Sequence, residues 1–337
     1  MINWATGYSA QYYAAVVDPA TWRDVGTIRI TGGTIKREST GERESADVTC
    51  VNYRIPVEQW VRIYLDARQA DGSAAHVPLF TGLATTPGDD VQGTWALNTL
   101  ECYSVLKPAS DVYLQTGAYV GIGSNSGEVI TEFLSVGSAP VVVHGTAPRL
   151  TESIVAESGE TNLSMVDRIL TAIGWRLRID GDGTINIMPM PTETVVTFDP
   201  LDNDMIEPKI KITEDWSVCP NVYMAVCDKS TGIARDDDPD SPLSTVSRGR
   251  EIWAKETGVT LTGGESIAEY AQRKLIEAQT VQQGASYDRR YHPDVRPGDL
   301  IRMQYPAQRL TGSYRVDSQS VTLGYAAKTS EQIYKEL

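Results

Sequence analysis

Apolar side chains fall on every second position in run after run at both ends of this 337-residue chain, and no other feature constrains its fold as much. A strand points successive side chains to opposite faces, so alternation marks sheets with one buried face. Between residues 1 and 104 the runs are 12–19, stopped by Pro19, then 26–40, which alternates on both sides of Gly32-Gly33, then 44–53, 60–67, 77–84 and 94–103. Ala70-Asp71-Gly72-Ser73 is a turn between two of them. Many short strands at close spacing with glycine-bearing turns predict a sandwich or barrel. A small closed barrel is the expectation for 1–104.

The period changes over 105–200. Gly121 and Gly123 precede a helix whose buried face is expected at Val129, Ile130, Phe133 and Leu134, with Ser126 as its N-cap and Gly127 next to it. A glycine-rich loop at a helix N-terminus can cradle phosphate. Here no lysine follows as in a Walker loop and the spacing is not G-x-G-x-x-G, so the loop reads as a connection. A second helix is capped by Thr161 or Asn162, carries Leu163, Val166, Ile169, Leu170 and Ile173 as its stripe, and ends at Gly174. A hairpin over 175–188 comes next, turning on Asp180-Gly181-Asp182-Gly183. That turn invites a calcium reading but lacks the ligand ladder and closing glutamate of a calcium loop, so it reads as a hairpin tip.

Alternation returns over 201–337, with strand regions at 205–216, 221–228 and 250–256. The acidic run from Asp236 to Asp240 between them reads as a solvated loop. A helix is expected over 266–281, because Ser266 and Glu269 have capping-box spacing and Ile267, Tyr270, Ala271, Lys274, Leu275 and Ala278 recur at helical intervals. Arg296-Pro297-Gly298-Asp299 makes a tight turn, Pro297 fixing φ and Gly298 free to take positive φ. Two further strands are expected, over 299–305 and 312–323. The fold class is therefore mainly β with an α+β insert: two small barrel-like β domains, 1–104 and 201–337, flanking a helix-plus-hairpin domain, 105–200.

A net charge of −14 argues against a surface that grips DNA or anionic lipid. No apolar run approaches the length that spans a bilayer, and residues 1–8 lack the basic-then-apolar order of a secretory signal. Folding in a bacterial-type cytoplasm is the expectation. Cys50, Cys102, Cys219 and Cys227 form no C-x-x-C pair, and His76, His144 and His292 are scattered, so zinc is not expected and the thiols read as free and strand-borne. No Gly-x-Ser-x-Gly elbow and no His-Glu-x-x-His occurs. Asp89 with Asp90, or Glu152 with Glu157, can be written as a glycosidase pair, but any acidic chain offers such pairs. No catalytic, cofactor-binding or metal-ligating residue is assigned, and the chain is expected not to be an enzyme.

Two stretches carry a resemblance. The helix that leads to the Pro-Gly-Asp turn and its strand, with Gly312-Ser-Tyr-Arg-Val after them, resembles the last domain of the tail hub proteins of tailed bacteriophages, also called baseplate hub or late-control proteins. The short helix running through Gly174-Trp175 into a hairpin with an Asp/Gly turn resembles that family's inserted middle domain. The resemblance implies a structural virion protein at the tail tip, assembled in the host cytoplasm. It implies a homotrimer whose paired outer domains, alike each other and the tail tube subunit, make a pseudo-sixfold ring. Implied partners are the tail tube or distal tail protein ring, a trimeric spike or fibre, and a tape-measure protein, with DNA only in transit and no membrane insertion. Two other classes stay open: a tail-associated cell-wall hydrolase, and a β module that binds host carbohydrate.

Overall fold

A computed structural model of the chain describes residues 2–335 apart from Pro56, 93–94, Asn203, Asp215, Val218, 228–229, 260–265, 280–282 and 325–326; at 86–87, 89–92, Trp95 and Glu277 it describes the backbone alone. In chain order the elements begin with β1 (Ser9–Asp18), β2 (Arg23–Ile28), β3 (Ile30–Glu38), β4 (Glu44–Val51), β5 (Gln59–Arg68), β6 (Ala74–Gln92) and β7 (Trp95–Ser104). Next come α1 (Lys107–Asp111), β8 (Tyr119–Val120), α2 (Ser126–Leu134), β9 (Val141–Val143), β10 (Ile154–Val155), α3 (Asn162–Ile173), β11 (Trp175–Ile179), β12 (Ile185–Pro189) and β13 (Thr194–Phe198). The remainder are β14 (Ile206–Glu214), β15 (Val222–Cys227), β16 (Ser230–Arg235), α4 (Thr245–Arg248), β17 (Trp253–Thr257), α5 (Ile267–Ala278), β18 (Gln283–Arg289), β19 (Leu300–Tyr305), β20 (Leu310–Leu323) and β21 (Thr329–Lys335). The fold is mainly β with a small helical part, as the alternation requires.

Contacts divide the chain into two compact units, Met1–Ile210 with Ser286–Ile333, and Lys211–Ala285 with Tyr334–Leu337. The sequence segments 1–104 and 105–200 both fall in the first unit, and 201–337 is shared between the two.

In the first unit, β3, β4, β7, β6, β5, β1 and β2 succeed one another as hydrogen-bonded neighbours, antiparallel at each step. The small closed barrel expected for 1–104 is not found: among the described residues the path stays open and ends at β2. The physical reason lies at β3. One edge of β3 takes β4, and the other takes β20, from Ser318 opposite Glu38 to Leu323 opposite Gly33. Closure needs an edge that a strand from the far end of the chain already occupies.

Alternation is cleanest in β4, where Ala46, Val48 and Cys50 turn inward. It fails in β5, where Trp60 to Leu65 are all buried. A strand covered on both faces loses its period. Val61, Ile63 and Leu65 enter one core with Ile35, Leu79 and Leu100, while Trp60 enters a second core built by the insert.

The insert keeps most of its expected local structure. Thr161 caps α3 with a reciprocal box to Ser164, Gly174 ends it at φ 65°, and Leu163, Val166, Ile169 and Leu170 are buried. Burying each of these aliphatics contributes about 1.5–3 kcal/mol over leaving it exposed. The cap of α2 differs from the expectation. Asn125, one residue earlier, accepts from Gly127 N, because the Ser126 hydroxyl is turned inward to donate to the Pro148 carbonyl at 2.6 Å.

In the second unit β15 pairs with β16 antiparallel and with β17 in parallel, and α5 packs Ala271 and Leu275 on Ala225 and Ala234. Ser266 and Glu269 make the capping box of α5 in both directions. Gly232 of β16 lies so close to α5 that a Cβ there would stand 2.3 Å from the Ile267 carbonyl oxygen. Asp237 to Asp240 are exposed, and Asp236 anchors the run by accepting from Ser241 Oγ and Gln279 Nε2.

Candidate functional site

The groups that chemistry commonly uses are dispersed. His76 pairs with Asp66 at 2.7 Å on an exposed strand face, His144 meets Asn186 at 2.7 Å in the insert, and His292 lies 4.0 Å from Asp294. Among the described residues no three His, Cys, Asp and Glu side chains gather as metal ligands. Cys50, Cys102 and Cys219 are buried and Cys227 is partly so. Burial pushes the Cys50 thiol up to about 11 and Cys102 further, which favours the unreactive protonated form. Glu152 and Glu157 are exposed, and the Asp89 and Asp90 side chains lie outside the described residues.

What the fold does bring together is a polar seam in the first unit. At one end the tip of the β11–β12 hairpin enters a socket in the sheet. The Gly181 carbonyl accepts from Thr81 Oγ1 at 2.8 Å. The Asp182 carbonyl accepts from Trp22 Nε1 and Arg62 Nη2, both at 2.9 Å. A Cβ on Gly181 would stand 1.8 Å from the Pro78 carbonyl oxygen, so only glycine fits. The Asp180 carboxylate is spent on Arg178 Nε and Asn186 Nδ2.

The hairpin's arginines reach the Pro-Gly-Asp turn. Gly298 adopts φ 82°, as the turn predicts. Asp299, fully buried, accepts from Arg296 N at 2.8 Å, from Arg176 Nη2 at 2.7 Å, and from Arg178 Nη1 at 3.4 Å. Beside it Glu44 receives Arg37 Nε at 3.2 Å and Arg296 Nη1 at 2.9 Å through one oxygen, Oε1. Gln319 then links this cluster to a third. Its Oε1 accepts from Arg37 Nη1 at 3.5 Å and its Nε2 donates to Glu331 at 2.6 Å.

Glu331 also accepts from Tyr287 OH at 2.5 Å and from Arg289 Nε and Nη2 at 3.0 and 2.7 Å. Burial works to raise the Glu331 carboxyl, but Arg289 and the hydrogen bonds of Tyr287 and Gln319 outweigh it and hold it below the ordinary range. At Glu44 burial wins: the carboxyl is raised despite Arg296 and Arg37. Burial, with Arg296 adding like charge, brings Arg37 down to about 10. The seam joins the hairpin, the Pro-Gly-Asp turn and the strands that carry Glu44 and Glu331 through buried, paired charges.

The whole fold has counterparts among solved structures. The 43 kDa tail protein of prophage MuSo2 from Shewanella oneidensis superposes with a TM-score of 0.67 at 12% identity, over 97% of this chain and 98% of that one. Its fold is that of phage tail proteins. A tail protein from Neisseria meningitidis MC58 gives the same TM-score and identity over 96% of this chain and 97% of that one. The Escherichia coli protein c3393, a component of the type VI secretion system with structural similarity to the T4 bacteriophage tail proteins gp27 and gp5, gives 0.52 at 10% identity over 92% and 74%. No protein-family model matches the sequence, and no curated protein does.

Within this tail-protein fold the hairpin and the turn were legible as separate pieces, and the seam joining them was not. A signal was present. Arg37 falls in phase with Ile35, and Arg289 in phase with Ala285 and Tyr287, each on the buried face of its strand. A charge at an inward position announces a buried partner.

Proposed function

We propose that this chain is a structural tail protein, the hub at the tip of a phage tail, and that it acts by assembly and not by catalysis. The observation that carries this is the whole-chain likeness: one fold spans 97% of this chain and 98% of a prophage tail protein. In this reading three copies form a ring. Each chain contributes two β regions, 1–104 and 201–337, around the insert 105–200, so six β regions surround a channel. One side meets the sixfold tail tube or distal tail ring, and the other a trimeric spike or fibre. The tape-measure protein is a further partner, DNA passes through, and nothing enters a membrane. The protein is made in the host cytoplasm and resides in the virion. The sheet supports such assembly, because β2 ends its hydrogen-bonded path and an edge strand can pair with a neighbour.

The charge suits a conduit. Each phosphate neutralised by a fixed cation adds to a salt-dependent grip on DNA, so carboxylates should outnumber cations on the channel wall of a chain with net charge −14. An averaged map of assembled tails tests the reading: three copies beside a ring of six are expected, and another copy number ends it. A continuous basic inner ring, or tight binding of duplex DNA at physiological salt, ends the conduit argument. Purified protein should neither clear cell walls nor release peptides or sugars; activity abolished by changing one carboxylate overturns the non-catalytic part.

A further inference from the structure

Where the Glu44 cluster meets the hairpin there is a cavity of about 20 Å³, lined by Arg37, Arg43, Glu44, Arg178, Arg296 and Pro297 among others. Three of these residues carry a buried polar atom that finds no protein partner: Arg43 Nε, Arg296 Nε and Glu44 Oε2. Other atoms of the same side chains are paired. Arg43 Nη2 holds Asp167 at 2.5 Å, and Arg296 Nη1 holds Glu44 Oε1 at 2.9 Å. Buried polar groups are almost always paired, with ordered water where protein does not reach. The space exceeds the 10–15 Å³ or so that one water needs, and such waters typically make about three hydrogen bonds.

We propose that this cavity is a binding site for one structural water, which accepts from Arg43 Nε and Arg296 Nε and donates to Glu44 Oε2. The chemistry chooses water over a small anion. A halide can accept from both guanidinium groups but has no proton for Glu44 Oε2, and it sets like charge against the carboxylate. Only a molecule that both accepts and donates satisfies two donors and an acceptor at once. The water ties the turn that leads into β4 to the turn before β19, so two segments far apart in sequence meet through an exchangeable joint beside the hairpin.

The test is a high-resolution crystal structure of the full chain, with parallel crystals grown in bromide. A density peak within about 2.7–3.2 Å of all three atoms and without bromine anomalous signal is expected. An empty cavity overturns the proposal, and so does an anomalous peak, which would assign the site to an anion. Glu44→Gln keeps the shape while presenting an amide, and Arg43→Lys keeps the charge while removing Nε. Loss or marked weakening of the peak is expected in each, and a peak unchanged in both overturns the assigned hydrogen bonds.

Discussion

Two buried glutamates in the first unit face arginines and reach opposite settlements. Glu331 spreads four hydrogen bonds over both oxygens, from Tyr287, Gln319 and a two-pronged Arg289. Glu44 meets two guanidinium groups, Arg37 and Arg296, through a single oxygen and leaves Oε2 without a protein partner. More positive charge lies at Glu44, yet it is Glu331 whose carboxyl is depressed and Glu44 whose carboxyl is raised. A buried ion pair recovers its desolvation only when geometry is good and the remaining lone pairs are filled. At Glu44 burial, with Asp180 adding like charge, prevails over two arginines, whereas at Glu331 one arginine and the hydrogen bonds of Tyr287 and Gln319 prevail over burial.

Replacing Glu331 should therefore cost most. Glu331→Gln strands Arg289, which has no exposed side-chain surface, and a loss of about 3–5 kcal/mol is expected from breaking such a pair. Denaturant unfolding at neutral pH measures it, and a loss below that of Glu44→Gln breaks the comparison. Tyr287→Phe comes next, removing one hydrogen bond to a charged acceptor in an otherwise intact cluster, for about 1.5–3 kcal/mol. Glu44→Gln ranks third at about 1–2 kcal/mol: it weakens bonds to two arginines but relieves an ionised carboxylate that burial already disfavours. Equal penalties for the two Gln variants would show that local charge count, and not completeness of bonding, decides the matter.

The same contrast explains what was readable beforehand. The caps of α3 and α5 and the Pro-Gly-Asp turn were legible because their hydrogen bonds join residues three apart, as Arg296 N does with Asp299 Oδ2 at 2.8 Å. The open sheet was not legible. The pairing of Ser318 with Glu38 is a long-range choice, and nothing within β3 says that β20 will take its free edge. The Ser126 expectation failed for a related reason: the Pro148 carbonyl, distant in sequence, claims its hydroxyl. The Asp/Gly turn marks the hairpin tip, but the socket that receives it comes from Thr81 of β6, Arg62 of β5 and Trp22 in the turn before β2, 100, 120 and 160 positions away. Arg37 and Arg289 left a trace, since each interrupts an apolar phase.

The smallest effect is a tilt with pH, and its sign separates the clusters most sharply. Glu331 has a folded value below its ordinary 4.5, so the unfolded chain takes up protons first on acidification. Its stabilisation is complete above 4.5 and is lost as pH falls through the folded value. Glu44 has a folded value above 4.5, so the folded chain holds its proton longer as pH rises. Its contribution is complete below 4.5 and is lost as pH climbs through the folded value. Glutamine does not titrate, so each variant compared with the parent reports one carboxyl. The penalty of Glu331→Gln should shrink below 4.5, and that of Glu44→Gln should shrink above it. Thermal unfolding of the parent and both variants across the acid range supplies the measurement. If the two penalties change in the same direction with pH, the two clusters are not in opposite electrostatic states, and the contrast between a fully bonded carboxylate and a half-bonded one loses its footing.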